Sequence, residues 1–394
     1  MAQLKVILGM SGGVDSSVAA ALLVEQGYDV HGITLQVWEE EDEAVASSRR
    51  WQERGCCKVG LAKHVAKLLG IPHQVVDTRE AFRKGVVDDF VSGYLHGTTP
   101  NPCVRCNERV KFGSLFRLAR DLGGDFLATG HYARIQPVGS VGFEILKGVD
   151  QKKDQSYFLY RLSPSWLPHI LFPLGELQKE KVWRRAEDMG LPTEELKESQ
   201  EICFVTQGDY RQFLMERAPQ AQRAGPFIDR EGQLLGQHKG IAFYTPGQRK
   251  GLGLATGRRL YVQEVIPETD AVVLGPPEEL LRSECMVADL NFFNEHLLND
   301  EDTVEVKIRY ASPSMPAKLH RVSPDTLRVQ FAAPQGAISP GQSAVFYRGD
   351  RVLGGGIIQR FSTRRSPSRT HSTLEDTQSP VPANSVNSAV LLPG

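Results

Sequence analysis

The sequence contains little cysteine, no excess of charge of either sign and no long hydrophobic run. Only 6 of its 394 residues are cysteine, too few for the disulfide framework that stabilises small secreted domains. The 46 Lys and Arg residues nearly balance the 47 Asp and Glu residues, so no overall basic field attracts nucleic acid and any RNA contact must be local. No segment approaches the roughly 18 apolar residues of a membrane span. We therefore expect a cytoplasmic protein of two or three domains, without a membrane segment.

The first motif is a Ser/Gly loop that lies between an apolar run and a helix-forming run. Residues 6–8 predict a buried strand, and residues 18–23 favour a helix. Between them, Gly12 and Gly13 permit a left-handed backbone and a close approach to a ligand. Ser16 or Ser17 is predicted to cap the helix, whose free N–H groups and dipole would face an anion, most plausibly phosphate.

The loop lacks the Gly-Lys-Ser/Thr ending of a Walker A motif. It therefore has no lysine for the β- and γ-phosphates of a nucleotide, and transfer of a γ-phosphoryl group is not expected. A Gly-rich turn without any ligand is the alternative interpretation of so short a motif.

Strands and helices are predicted to alternate in the first half of the chain. The predicted strands after the first are 29–38, 71–76 and 125–129, and the predicted helices are 59–69, 79–94 and 111–122. Such alternation is typical of right-handed βαβ units and a parallel sheet. These sheets bind ligands at the carboxyl ends of their strands, where the Ser/Gly loop lies.

The pattern of the sequence changes near residue 209, where short segments separated by Gly and Pro replace the longer alternating strands and helices. A hairpin is predicted at 227–235 with its turn at 230–232, and alternating segments predict a small β-barrel or sandwich in the last third (304–310, 327–331 and 343–347). We expect domains at 1–208, 209–280 and 281–361. The Ser/Thr/Pro-rich tail, 362–394, is predicted to be disordered.

Cys103 and Cys106 form a Cys-x-x-Cys motif in a segment predicted to be a turn-rich loop before a helix. A structural zinc site would need Cys56 and Cys57 as its second pair, and their adjacency suits one tetrahedral ion poorly. A thioredoxin-like dithiol would open a helix in a different βαβ context.

A third interpretation pairs one of these two cysteines with Cys203, one thiol acting as nucleophile and the other as sulfur carrier. The cations Arg105, Arg109 and Lys111 would favour the Cys106 thiolate, provided they face its sulfur. Cys203 as a merely buried small apolar residue remains open.

Six motifs, in this order, resemble those of the bacterial tRNA-specific 2-thiouridylase (MnmA) family. They span roughly residues 5–358: Ser11–Ser17, Thr99–Asn107 with Lys111-Phe112, Ala128–Arg134, Lys153–Tyr157, Glu201–Phe204, and His238–Gly240 with Pro246–Gly253. The first resembles the pyrophosphate loop of the ATP pyrophosphatase superfamily. The resemblance implies an α/β fold with an N-terminal parallel-sheet adenine-nucleotide α hydrolase (Rossmann-like) domain, a small central domain and a C-terminal β-barrel.

The resemblance also implies ATP-dependent 2-thiolation of the wobble uridine (position 34) in the tRNAs for lysine, glutamate and glutamine, by a monomer. Ser11, Ser16 and the loop amides would hold the pyrophosphate, and Asp15 would position it or its Mg²⁺. Leu35 and Gly130 would line the adenosine pocket through backbone groups. The full set implied to bind ATP is Gly9, Met10, Ser11, Gly12, Gly13, Val14, Asp15, Ser16, Leu35 and Gly130.

For the sulfur chemistry, the resemblance implies that Cys203 carries a persulfide received from a sulfur-relay protein or a cysteine desulfurase. Cys106 would be the nucleophile that frees this sulfur, leaving a Cys106–Cys203 disulfide. A flipped-out target base would be held by Asn101, Pro102 and Cys103, because C2 cannot react within the anticodon stack. The implied tRNA contacts are Lys153, Asp154, Gln155, Arg309 and Tyr310, with Arg249 and Lys250 added from the basic Gly-rich segment.

Cys103 departs from the family pattern, since some members have an aspartate at this position that acts as an acid or base. No residue of this chain is assigned that acid/base role. Three converging cysteines, Cys103, Cys106 and Cys203, could instead ligate a [4Fe–4S] cluster, as in the tRNA 2-thiocytidine synthetases. A catalytically silent tRNA-binding protein is the other alternative, which an absence of ATP–pyrophosphate exchange would favour.

Overall fold

The computed structural model describes residues 3–38, 58–139, 142–191, 202–205, 209–254, 257–294 and 303–360. All of these belong to one compact unit. The predicted tail lies outside the described residues, and so do Cys56 and Cys57, the pair that a structural zinc site would have needed. Within the described ranges, no helix has the length and apolar character needed to cross a membrane.

The strands and helices of these residues are numbered here in chain order. The strands are β1 Lys5–Gly9, β2 Asp29–Gln36, β3 His73–Asp77, β4 Phe126–Thr129, β5 Ala133–Val138, β6 Gly142–Lys147, β7 Ile170–Leu171, β8 Gly225–Ile228, β9 Leu234–His238, β10 Tyr261–Ile266, β11 Ala271–Gly275, β12 Arg282–Phe292, β13 Thr303–Lys307, β14 Met315–Ser323, β15 Thr326–Gln335, β16 Ser343–Arg348 and β17 Arg351–Ile358. The helices are α1 Val14–Glu25, α2 Val59–Leu69, α3 Arg79–Phe82, α4 Asp88–Leu95, α5 Pro102–Arg105, α6 Gly113–Asp121, α7 Lys179–Asp188 and α8 Tyr210–Arg217.

The first sheet is parallel, in the order β3-β2-β1-β4-β7. Its central strand, β1, is apolar because it is buried on both faces: Val6, Ile7 and Leu8 have no exposed surface. The carboxyl end of β1 leads directly into the Ser/Gly loop and α1. This confirms the predicted α/β fold and the placement of the loop at the carboxyl edge of the sheet.

A second, four-stranded sheet has the order β10-β11-β8-β9. Its β8–β9 pair is the predicted hairpin, and Gly232 supplies the left-handed residue of the turn, with φ of 86°. Inside the turn, the Asp229 carboxylate accepts the backbone N–H groups of Glu231 (3.1 Å) and Gln233 (2.8 Å).

The C-terminal strands close a barrel. The ladder runs β12-β15-β14-β13-β16-β17, and β17 pairs again with β12, so no edge of this six-stranded set stays open. Strand β6 also pairs with β17, which joins the β5–β6 hairpin to the barrel. The sequence predicted either a small barrel or a sandwich here. The β12–β17 pairing shows that the strands form a barrel.

One part of the helix prediction was wrong. The segment with the two cysteines is helical from Pro102, continues through a π-helical stretch at Cys106–Phe112 and joins α6. A second π-helical stretch, Arg83–Val87, joins α3 to α4. The signal for the early start was present, because Asn101 caps α5 and Pro102 occupies its first turn.

Candidate functional site

The Ser/Gly loop presents an uncapped helix end. Helix α1 begins at Val14, and its N-cap is Gly13, which makes no side-chain cap hydrogen bond. The predicted cap was wrong: the hydroxyls of Ser16 and Ser17 both donate back to the carbonyl of Gly13, at 3.0 Å each. The first-turn N–H groups are therefore not covered by a serine side chain, which suits an anion.

Two glycines set the shape of this loop. Gly12 has φ of +75°, and a β-carbon there would lie 2.2 Å from the carbonyl oxygen of Lys58. A β-carbon on Gly130, after β4, would lie 2.8 Å from the carbonyl carbon of Asp15 and 2.9 Å from the nitrogen of Ser16. Gly130 thus lies against the start of α1 itself, so it shapes the loop in addition to any adenosine contact.

The strand that precedes the loop is held by buried polar contacts. The Thr34 hydroxyl donates to the carbonyl of Met10 at 2.7 Å and lies 2.8 Å from Nε2 of His73. The Met10 N–H donates to the carbonyl of Ile33, two residues before Leu35, the predicted adenosine-lining residue of β2. On the other side, Gly9 faces Leu115 of α6.

Asp15 occupies the first turn of α1 and has two strong partners. Its Oδ1 accepts the hydroxyl of Tyr132 at 2.7 Å and the ammonium group of Lys179 at 2.6 Å. Lys179 is the first residue of α7, and its side chain is only 8% exposed. The backbone N–H of Lys179 donates to Asp150 at 2.9 Å, which fixes the start of α7.

The sequence did not predict Lys179 as a site residue, because Lys179 lies 164 residues from Asp15 along the chain. No local spacing could reveal the contact. Tyr132 lies within the Ala128–Arg134 motif, but its hydrogen bond to Asp15 depends on how the segment after β4 packs against the start of α1. Together these contacts place one cation, the Lys179 ammonium group, beside the Ser/Gly loop. The loop itself contains no lysine or arginine.

The second cluster is built around the start of α5. The Asn101 side chain accepts the N–H of Val104 at 3.3 Å, and Pro102 is buried. Cys103 is exposed, whereas Cys106, one helical turn later, is buried and only 8% exposed. The two thiols of the motif therefore have different access to solvent.

Cys203 lies near this helix. Although Cys103 is exposed, protein atoms around its sulfur desolvate it; this desolvation, reinforced by Cys203 and opposed by Lys111, raises the pKa of Cys103 to about 11. The electrostatic interaction between the two thiols requires proximity, although about a hundred residues separate them in sequence. Cys103 is accordingly a protonated thiol at neutral pH.

An aromatic cluster holds Cys203 in place through its neighbour Phe204, which is 2% exposed. The Phe204 ring lies 5.1–5.7 Å from the rings of Phe82, Phe90 and Phe213. The pairs with Phe82 and Phe90 are edge-to-face, an arrangement that adds about 0.5–1.5 kcal/mol per pair beyond area burial. Residues 202–205 are thus fixed against α3, α4 and α8.

Two of the three cations predicted to favour the Cys106 thiolate, Arg105 and Arg109, are paired with carboxylates. Arg105 pairs with Glu108 at 2.9 Å and with Asp289 of β12 at 3.1 Å, and Arg109 pairs with Asp89 at 3.3 Å. Their charges are compensated by carboxylates. Lys111 acts electrostatically on the thiol of Cys103, whose pKa it lowers against the effect of desolvation.

Lys111 also acts on His131, which is buried directly after Gly130. Burial, with a smaller effect from Lys111, lowers the pKa of His131 to about 3. The imidazole is therefore neutral at pH 7, and its Nδ1 lies 2.8 Å from the Thr129 hydroxyl. The rings of His131 and Phe112 pack at a tilt of 34°, with their centroids 5.7 Å apart, which connects the carboxyl edge of the sheet to the helical segment that contains Cys106.

No group of three His, Cys, Asp or Glu side chains is arranged to hold a metal ion within the part of the chain that the structure describes. For a magnesium–nucleotide, the donor to consider is Asp15. Its carboxylate is 36% exposed at the uncapped end of α1, which fits a hard cation bound beside phosphates.

The comparisons with known proteins cover nearly the whole described chain. A domain model described as a tRNA methyl transferase HUP domain matches residues 4–207, a tRNA methyl transferase PRC-barrel domain matches residues 211–276, and an aminomethyltransferase β-barrel domain matches residues 282–358. A tRNA-specific 2-thiouridylase MnmA from Carboxydothermus hydrogenoformans is 46% identical over 360 residues, which is 90% of this chain and 98% of that protein. The MnmA of Clostridioides difficile is 44% identical over 360 residues, with the same coverage.

This chain belongs to the tRNA-specific 2-thiouridylase family. The resemblance stated from the motifs is thereby confirmed, and so is the three-part α/β architecture that it implied.

The residues expected to meet tRNA in this thiouridylase chain differ in accessibility. Asp154 is 8% exposed, and its carboxylate accepts the N–H groups of Gly148 (3.0 Å) and Ser156 (3.1 Å). Gln155 accepts the N–H of Tyr132 at 3.0 Å. Both side chains hold the turn together, and Lys153, the third predicted contact of this segment, is partly exposed.

Two further predicted RNA-contact segments of the thiouridylase lie at the surface. Tyr310 is 37% exposed and its ring lies 4.5 Å from that of Phe158, so the turn after β13 meets the segment that follows Gln155. Arg309 donates to the carbonyl of Gly336 at 3.2 Å. In the central part, exposed Arg249 borders a cavity of about 500 Å³ that is lined by cations and leucines (Arg249, Gly251–Leu254 and Arg258–Leu260).

Proposed function

We propose that this chain is a tRNA-uridine 2-sulfurtransferase, which uses ATP to convert the wobble uridine at position 34 into 2-thiouridine. The observation that carries the proposal is that Cys203 lies near Cys103 of the Cys-x-x-Cys helix, in a chain whose relatives are named 2-thiouridylases. The domain models carry the name of a methyl transferase, but a pyrophosphate loop and paired thiols suit activation and sulfur transfer better than methyl transfer.

The loop supports the activation step. The C2 carbonyl oxygen of uridine attacks the α-phosphate of ATP, and pyrophosphate leaves; the oxygen can then depart as part of AMP. The uncapped end of α1 and the left-handed Gly12 offer backbone N–H groups to the phosphates. Asp15 would hold Mg²⁺, which supplies charge neutralisation for the phosphates when bound. Leu35 and the backbone of Gly130 would border the adenosine.

The cysteines support the sulfur step. The Cys106 thiolate attacks the inner sulfur of a Cys203 persulfide, which releases hydrosulfide and forms a Cys106–Cys203 disulfide. The hydrosulfide displaces AMP from C2, and a dithiol reductant then supplies two electrons to restore both thiols. The persulfide itself comes from a sulfur-relay protein or a cysteine desulfurase. Asn101, Pro102 and Cys103 would border the flipped-out base.

The remaining parts of the proposal concern partners. The tRNAs for lysine, glutamate and glutamine are the substrates, bound by a monomer in the cytoplasm, where both tRNA and ATP occur. We propose that the domain boundaries lie between residues 208 and 209 and between residues 280 and 281. Lys153, Arg309, Tyr310, Arg249 and Lys250 are the proposed RNA contacts.

The test is reconstitution with purified chain, ATP, Mg²⁺, a persulfide donor and a transcript of the lysine tRNA. We expect AMP, pyrophosphate and 2-thiouridine in comparable amounts, measured by nucleoside mass spectrometry. The matched control is the same transcript with cytidine at position 34, which should give no thionucleoside. ATP turnover without any 2-thiouridine, or product from the cytidine transcript, would contradict the assignment.

A further inference from the structure

Two arginines and two carboxylates form a closed set of ion pairs beside Cys106, called here the charge ring. Between nitrogen and oxygen atoms, Arg105 lies 2.9 Å from Glu108 and 3.1 Å from Asp289. Arg161 lies 2.9 Å from the other oxygen of Glu108 and 3.0 Å from the other oxygen of Asp289. Each carboxylate therefore bridges both guanidinium groups, and the four charges of the ring cancel.

The charge ring joins three parts of the chain. Arg105 and Glu108 lie on either side of Cys106 in sequence, Arg161 belongs to the turns at residues 156–161, and Asp289 belongs to β12 of the barrel. The side chains of Arg105 and Arg161 are only 15% and 10% exposed, so salt screens them less than surface charges. Burial would raise the pKa of the Asp289 carboxyl, but Arg161 and Arg105 lower it below its ordinary value. The ring is therefore fully ionised at neutral pH.

Asp289 reaches the ring because β12 is irregular at this point. The register of β12 on β17 shifts between Ala288 and Asn291, and Asp289 has a left-handed φ of 52°. Such irregularities redirect a side chain away from the usual alternation of a strand. Arg161 also donates to the carbonyl of Asp289 at 2.9 Å, and the Asn291 amide donates to the carbonyl of Tyr160 at 2.6 Å. The barrel thus holds the segment that carries Arg161 through both backbone and side-chain contacts.

The residue after Cys106 is held against the same segment. Asn107 is 3% exposed, and its side-chain nitrogen donates to the carbonyl of Phe158 at 3.3 Å. Residues on both sides of Cys106 are therefore bonded to groups outside their own helical segment. Cys106 itself begins a π-helical stretch, a conformation that is rare and is frequently found at functional sites.

Resting on the function proposed above, we propose that Asp289 is a positioning residue for sulfur transfer. Through the charge ring it fixes the turn that carries Cys106, so that this thiol meets the persulfide on Cys203. Adenylation of the uridine takes place at the Ser/Gly loop and does not use the ring. Without the ring, the uridine is still activated but sulfur is released slowly. Water then takes the place of hydrosulfide at C2, which returns uridine and AMP.

The experiment is a single turnover of the full chain, loaded with persulfide on Cys203 and mixed with ATP, Mg²⁺ and the lysine tRNA transcript. For Asp289→Asn, the rate of AMP formation should stay within about twofold of the wild type. The rate of 2-thiouridine formation should fall about ten- to a hundredfold, because a misplacement of about 1 Å can cost a hundredfold in rate. The matched control, Asp350→Asn, removes another barrel carboxylate, which lies 2.9 Å from Arg134, and should behave as the wild type.

Arg161→Lys is a second variant, because lysine keeps the charge but lacks the planar fork that bridges two carboxylates. It should show the same separation of AMP from 2-thiouridine. If the folded Asp289→Asn protein forms 2-thiouridine at the wild-type rate, the inference is overturned; the same result for Arg161→Lys overturns it where Asp289→Asn does not fold. An equal loss of AMP and 2-thiouridine would also overturn it, because that would indicate a general defect in folding or tRNA binding. If the wild type forms AMP but no 2-thiouridine, the proposed function fails instead, so the two failures are distinguishable.

Discussion

Gly130→Ala is expected to damage the pyrophosphate loop. The added methyl group would lie 2.8 Å from the carbonyl carbon of Asp15, 2.9 Å from the nitrogen of Ser16 and 3.0 Å from the carbonyl oxygen of Asp15. Favourable contacts between carbon atoms lie at about 3.5–4.0 Å, so the backbone must separate by roughly half an ångström or more. All three atoms belong to the main chain, which cannot turn aside as a side chain can.

The cost follows from this geometry. Overpacking of this kind destabilises by about 1–3 kcal/mol. The displaced atoms lie in the first turn of α1, so we also expect ATP affinity to fall by about tenfold or more. Urea unfolding and calorimetric titration with ATP measure the two effects. Gly60→Ala is the matched control: its methyl group meets nothing within 4 Å near the start of α2, and it should leave stability unchanged or raise it by up to about 1 kcal/mol. A Gly130→Ala protein with wild-type stability and ATP affinity would refute the reasoning.

Three further predictions concern the loop, the RNA surface and a buried histidine. Asp15→Ala or Ser16→Ala should abolish AMP formation in a folded protein, and retained adenylation in either variant would remove that residue from the site. Arg249→Ala with Lys250→Ala should weaken tRNA binding and flatten the dependence of log K on log salt by about 0.7–0.9 per lost phosphate contact; the charge-matched Lys63→Ala with Lys67→Ala control on α2 should not, and equal slopes for both double variants would contradict the assignment. The His131 pKa is lowered to about 3, so the unfolded chain binds more protons than the folded one between about pH 3 and 6.5, and stability should fall by up to about 1.4 kcal/mol per pH unit as pH decreases through that window. A His131→Asn variant with the same pH slope in urea unfolding would show that another group is responsible.

The sequence predicted best where local pattern and tertiary surroundings agree. The buried strand before the Ser/Gly loop, the helix ending at Gly70 and the hairpin around Gly232 were all predicted from adjacent residues, and the structure confirms them. Gly70 has the left-handed φ of 67° that a helix C-cap favours.

The sequence predicted less where contacts join distant segments. Nothing local indicates that Lys179 reaches Asp15, that Asp154 is buried, or that Asp289 compensates Arg105. The cysteine helix shows another limit: its capping signal at Asn101 was outweighed by the Pro and Asn residues typical of turns. The site residues drawn from the resemblance stay predictions, and the substitutions above and below test them.

The sulfur relay is tested most directly by measuring protein persulfide and 2-thiouridine yield together, for the wild type and three single variants. We predict that Cys203→Ser loses the persulfide. Cys106→Ser should still accept sulfur on Cys203 yet form no 2-thiouridine, whereas Cys103→Ser keeps measurable activity because its protonated thiol is not the nucleophile. Equal and total loss of activity in all three variants, together with iron in the wild type, would contradict this account in favour of a cluster mechanism.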